Sequence, residues 1–136
     1  MNCCLTTFCC LTILAMSGAA ARADDPVVAA EQGVVMEVRI GDETTRFEPL
    51  EVAEPITVET LMKRLAERDE KFRFEARGSS ETCFVTSILG HRNEGRGGRN
   101  WLLMVDGKLA DRGAGSFKVG PGKIVVWQYR GGGPDR

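Results

Sequence analysis

The stretch TVETLMKRLAERDEKF, residues 57–72, constrains the fold more than any other. Val58, Leu61, Met62, Leu65 and Ala66 fall at i, i+3, i+4, i+7 and i+8, so a helix would carry them in one stripe. Thr57 is a suitable N-cap, and Glu59 sits at the positive end of the helix dipole. Only one side of this helix is apolar, so it must lie against another surface. At about 1.5 Å per residue, a helix of about twelve residues spans about 18 Å, enough to cross a small sheet.

The flanking sequence supplies that sheet. In GVVMEVRIG, Val34, Met36, Val38 and Ile40 alternate with Val35, Glu37 and Arg39, the pattern of a strand with one buried face. Gly41-Asp42 starts a turn, and Pro49 and Pro55 limit the continuation to an edge strand or to short pieces. After the helix, KFRFEA alternates and TCFVTSILG is a β-branched run. NWLLMVDGKLA runs into Asp106-Gly107, a pair suited to a two-residue type I′ hairpin. GSFKV and KIVVWQYR are joined by the turn signal Gly120-Pro121-Gly122. Two strands, one helix and four or five further strands predict an α+β domain of β-grasp-like form, with one helix packed on a mainly antiparallel or mixed sheet.

Residues 1–23 are set apart as a secretory signal, with an apolar centre from Leu5 to Met16 and Ala21-Arg22-Ala23 at the cleavage position. No Lys or Arg precedes the apolar run, and Cys3 to Ala21 carry no charge, so an uncleaved anchor is the alternative. Cleavage would send the chain to the periplasm, the cell surface or the medium, with no membrane attachment afterwards. It would also remove Cys3, Cys4, Cys9 and Cys10, leaving Cys83 alone and no intramolecular disulfide. The predicted organisation is a flexible leader over 24–32, one domain over 33–130 and a disordered tail over 131–136. About 110 residues suffice for one compact domain and are too few for two.

Charge is divided along the chain. Residues 24–70 hold 5 Lys/Arg and 13 Asp/Glu, a net of −8, and residues 71–136 hold 12 and 6, a net of +6. The expectation is intramolecular neutralisation, with strands from both halves pairing so that opposite charges face each other. The alternative is a basic face aimed at an anionic partner.

From Val58 onward the order of features resembles the transcobalamin-like C-terminal domain family, an exported domain of unknown function. The matching pieces are TVETLMKRL, FVTSILG, NWLLMVDGK and ADRGAGSFKVGPGKIVVWQY, and the likeness covers nearly the whole mature chain, about Gly33 to Arg130. The resemblance implies a β-grasp-like fold. For relatives at the end of vitamin B12 carriers it implies a surface that closes over one side of a corrinoid. Cobalamin is therefore the one cofactor suggested, although a large helical barrel supplies the other half of the site in those carriers.

The segment GHRNEGRGGRNW, residues 90–101, gathers the single histidine, three arginines and a tryptophan. It does not read as a phosphate cradle, which needs a helix after the glycines, whereas a strand follows here. One GRGGR without interleaved aromatics is not a nucleic-acid tract either. His91 has no nucleophile-elbow serine to serve, and reads as a solvated loop residue or as an axial ligand to a corrinoid metal. Cys83 lies in an apolar strand and reads as a small hydrophobe. One His and one Cys cannot make a structural zinc site. Trp127 reads as core, whereas Trp101, directly after the glycine-rich loop, is expected to have a reachable ring edge.

These readings predict a non-catalytic binding module for a small molecule or a cell-surface protein partner, with no nucleic acid and no resident metal. The alternative is a structural or adhesive domain without a small ligand, using exposed strand edges. The candidate ligand-binding residues are His91, Arg92, Arg96, Arg99, Asn100 and Trp101, together with Gly113, Ala114, Gly115, Ser116 and Phe117. The arginines would meet anionic groups and Trp101 would stack. The backbone around Gly113 and Gly115 would approach a ligand closely because no Cβ obstructs it.

Overall fold

The computed structural model describes residues 33–131. The expected signal sequence over 1–23, the leader over 24–32 and the tail beyond Gly131 lie outside the described residues.

The described residues form an α+β domain with one α-helix. Strand β1 (Gly33–Ile40) turns at Gly41, which takes φ +60°, into β2 (Glu43–Arg46). Two short pieces follow, β3 (Leu50–Glu51) and β4 (Ile56–Thr57), as the two prolines require. Helix α1 (Val58–Arg68) comes next, then β5 (Phe74–Arg77), a 3-10 turn (Ser80–Thr82), β6 (Phe84–Ile88) and β7 (His91–Arg92). The chain ends with β8 (Arg99–Val105), β9 (Lys108–Leu109), β10 (Lys118–Val119) and β11 (Ile124–Gly131).

The main sheet has the order β2-β1-β11-β8-β9, with β3 also on β1. It is mixed: β1 and β11 run parallel, with Val38 beside Trp127, and the other pairs are antiparallel. The β8–β9 hairpin turns at Asp106-Gly107, both with positive φ (50° and 78°), as a type I′ turn demands. Gly120-Pro121-Gly122 does not make a second hairpin. β10 pairs with β4 and β11 with β1 and β8, so this turn hands the chain from one sheet to another.

Helix α1 is capped as expected: the Thr57 hydroxyl accepts from the Thr60 N–H at 3.2 Å. It stops at Arg68 after 11 residues, close to the length expected, because Asp69 is extended and its carboxylate accepts from the Lys71 N–H. The Arg68 guanidinium donates to the carbonyls of Glu48 and Pro49, which ties the last turn to the segment before β3. Val58, Leu61, Met62 and Leu65 share one core with Val34, Met36 and Val38 of β1 and with Leu103, Val105, Val125 and Trp127. Phe47 meets Phe72 edge to face, ring centroids 5.2 Å apart, and closes the core beyond the helix.

Two expectations need correction. β1 is buried on both faces through Val38: the second face carries Val35 beside Ile124, and Glu37, whose carboxylate is held by Arg39 and Arg46 at 2.9 and 3.4 Å. The divided charge is not paired across the two halves in seven ion pairs among the described residues, each of which joins partners from the same half. The cause is that the strands shared between halves, β1 with β11 and β4 with β10, put Glu37 beside Val126, Arg39 beside Gln128 and Lys118 beside Thr57.

Candidate functional site

The segment 90–101 is a closed connection knit to itself. The Glu94 N–H donates to the Arg99 carbonyl, and the Arg99 N–H donates back to the Glu94 carboxylate at 2.7 Å. Asn100 accepts from the Gly95 N–H and donates to the carbonyls of Gly95 and Gly98. Asn93 donates to the Val85 carbonyl and accepts from the Trp101 N–H, each at 2.8 Å, so it fastens β6 to β8. The glycines serve the turns: Gly95 and Gly97 both sit at positive φ.

The arginines of this loop are mostly committed. Arg92 pairs with Glu75, and Arg99 pairs with Glu94 while lying 5.2 Å from the Tyr129 ring centroid. Arg96 is exposed. The backbone bond from Arg99 and its guanidinium hold the Glu94 carboxyl below the usual range, whereas burial pushes the Tyr129 phenol up. Tyr129 donates to the Arg92 carbonyl at 2.7 Å. His91 is exposed, and its ring contacts Tyr129 (centroids 5.6 Å apart).

Trp101 is not reachable. It is 7% exposed, its indole N–H donates to the His91 carbonyl at 2.7 Å, and its ring packs on Tyr129 at 4.9 Å. In the pleat of β8 it faces inward with Leu103 and Val105, and β7 covers it, so its place at the loop exit does not expose it. Trp127, 4% exposed, is core as expected, but its indole N–H has no partner among the described residues. The two tryptophans should therefore respond differently to phenylalanine. Trp101→Phe removes a buried bond and leaves the His91 carbonyl short of a donor, a cost of about 2 kcal/mol. Trp127→Phe removes an unsatisfied N–H, which offsets the lost ring volume and leaves a net change of about 1 kcal/mol or less. Denaturant unfolding of the two variants measures the order.

Gly113 to Phe117 occupy a different place. The carbonyls of Ala114 and Phe117 accept from the Glu59 and Val58 N–H groups, each at 2.9 Å, so this segment caps the start of α1. Ala114 and Gly115 are buried, and Ser116 donates its N–H to the Gly113 carbonyl. The space that Gly115 leaves free is filled by the protein: a Cβ there would overlap the Ser80 carbonyl and lie 2.8 Å from Cys83 Cβ. The close approach expected for a ligand is an approach of the 3-10 turn. Glu59, 7% exposed, binds the same turn by accepting from the Ser80 N–H at 2.9 Å, and it accepts from Lys63 at 2.6 Å. The Lys63 bond, helped by Ser80, holds its carboxyl below the usual range, and burial pushes the adjoining Cys83 thiol up.

The two sets of candidate residues are thus not brought together. Arg99 and Asn100 open β8 and Asp106 follows its end, about 20 Å away at about 3.3 Å per residue. Among the described residues expected in the site, Phe117 lines a groove of about 480 Å³ between the β8–β9 hairpin and β10. Val105, Ala110 and Phe117 are its apolar wall, with Lys108, Lys118 and Lys123 around it. Lys123 binds Asp106 at 2.8 Å, and that bond, with the Ile124 N–H, holds the Asp106 carboxyl below its usual range. Sequence reasoning missed the lysines because they are scattered over sixteen positions; the signal available was the D-G turn followed at once by a lysine. A larger groove of about 700 Å³ runs beside the end of α1 and β5, lined by Ala66, Phe72 and Phe74 with Glu70, Arg73 and Glu75, a charge set of both signs.

Solved structures similar in fold include the following two. Haptocorrin in complex with Cbi aligns at TM-score 0.60 and 24% identity over 71% of this chain, and the chain spans 25% of haptocorrin's length. A candidate metal binding protein from Ruminococcus gnavus ATCC 29149 aligns at TM-score 0.55 and 17% identity, over 75% of this chain and 99% of its own. No curated protein matches the chain in sequence. The family model described as a domain of unknown function, DUF4430, matches residues 56–131, from β4 and the helix through the groove to the end of β11, and the chain belongs to that family.

Proposed function

We propose that this chain is an exported, non-catalytic binding module of β-grasp-like form, and that its ligand surface is the groove between the β8–β9 hairpin and β10. The observation that carries the reading is the groove itself: an apolar wall of Val105, Ala110 and Phe117 beside lysines, at the end of a rigid two-residue hairpin. A small molecule such as a corrinoid is the ligand class favoured by the likeness to haptocorrin, which was solved with Cbi. The chain would then provide one side of the site.

A catalytic reading has less support. The His91 ring lies against Tyr129, and the Cys83 thiol is buried with its pKa raised, the reverse of an activated nucleophile. A metal ion held by this chain alone is not favoured either, since the described residues bring no three His, Cys, Asp or Glu side chains together.

Thermal-shift measurement of residues 24–136 with cobinamide, cyanocobalamin, haem and a panel of anionic metabolites tests the reading. A ligand at a hundred times its Kd adds about 2.7 kcal/mol, which for a domain of this size raises Tm by roughly 10 °C or more. Phe117→Ala should reduce that shift. No shift with any of these compounds overturns the reading and leaves a structural or adhesive domain.

A further inference from the structure

We propose that the groove between the β8–β9 hairpin and β10 selects small amphipathic anions, in which an acidic head group is held by Lys108 and Lys118 and an apolar body rests on Val105, Ala110 and Phe117. This rests on the reading of the groove as the ligand surface, and it names a small anion as the guest in place of the corrinoid.

Three lysines and two aspartates line the groove. Both aspartates are engaged: Asp106 binds Lys123 and the Ile124 N–H, and Asp111 binds Arg112 at 3.2 Å. Lys108 and Lys118 have no carboxylate partner among the described residues. Their positions are set by strand pairing. Lys108 lies opposite Val105, whose side chain faces the core, so it stands on the helix side of the sheet. Lys118 lies opposite Thr57, directly before the first residue of α1.

Two unneutralised cations on one recess disfavour a cationic guest and favour an anion that meets both. Ammonium groups act as point charges, so the pair accommodates a carboxylate, phosphate or sulfonate alike. The apolar wall makes a bare inorganic anion a poor fit, because it leaves the part of that wall open to the groove, chiefly Ala110 and Phe117, in water. About 480 Å³ suits a guest of small-molecule size.

A matched pair of probes reads the inference: 8-anilinonaphthalene-1-sulfonate and N-phenyl-1-naphthylamine, which share an aromatic body and differ in the sulfonate. Fluorescence titration should show one site that binds the sulfonate about ten-fold tighter than the neutral probe. In K108Q/K118Q that preference should vanish while the neutral probe binds as before. In R64Q/K71Q, which removes two positive charges outside the groove, the preference should persist. Equal affinity for the two probes, or a preference that survives K108Q/K118Q, overturns the anion inference and leaves the groove as a binding surface. Binding of neither probe overturns both.

Discussion

Gly115→Ala is expected to lower the melting temperature by roughly 15 °C, or to prevent folding. The new Cβ would overlap the Ser80 carbonyl and crowd Cys83 Cβ. These are backbone and buried atoms of the 3-10 turn that the start of α1 also holds through Glu59. No flexible side chain can swing aside, so the segment capping the helix must lift from the turn. Overpacking of this kind costs about 3 kcal/mol, and a domain of about 100 residues loses roughly 4–8 °C for each. Gly113→Ala is the control two residues away. Its Cβ would meet only the Cys83 carbonyl at 3.4 Å, an ordinary contact, and the variant should stay within about 1 kcal/mol of the parent. If the two variants melt together, Gly115 is not a packing position, and the ligand approach first expected of it becomes the better account.

The same glycine shows where the sequence could be read and where it could not. Interactions between near neighbours were legible. The apolar stripe and Thr57 cap gave the helix, Gly41-Asp42 gave the β1–β2 turn, and Asp106-Gly107 gave the hairpin with both residues at positive φ. Interactions between distant segments were not legible. Nothing local in GVVMEVRI or KIVVWQYR announces that Val38 runs parallel beside Trp127, or that β10 leaves β11 to pair with β4. The surroundings of the candidate residues were the least legible. Arginines and glycines concentrated over 90–101 read as a ligand loop, and the structure adds that Glu94 and Asn100 bind the backbone of Arg99 and Gly95 to close a connection. Lys108, Lys118 and Lys123 are scattered and inconspicuous, and only the hairpin turn and the β4–β10 pairing bring them to one groove. Whether a glycine faces a ligand or the protein's own backbone depends on a partner far along the chain, here Ser80.

Glu59→Ala is expected to cost about 2 kcal/mol, a fall in Tm of roughly 10 °C. The Glu59 carboxylate joins α1 to the 3-10 turn. It accepts from the Ser80 N–H at 2.9 Å and from Lys63 at 2.6 Å, beside the helix N-terminus. The Lys63 partner contributes little of this, because its side chain is 58% exposed and solvent screens the pair. Lys63→Ala should therefore cost clearly less than Glu59→Ala. The larger part is the Ser80 N–H, which loses its acceptor. The pH dependence separates a charged acceptor from a merely polar one. Lys63 and Ser80 hold the Glu59 carboxyl below the ordinary glutamate range, so folding favours the ionised form. That contribution is complete above the unfolded value, about 4.3, and is lost as pH falls through the lower folded value. The parent should thus lose stability below about pH 4.5 more steeply than Glu59→Gln, which keeps an oxygen for Ser80 but cannot titrate. Parallel pH profiles for the parent and Glu59→Gln would mean that the carboxylate's charge contributes nothing to the joint, and that shape alone fastens the helix to the turn.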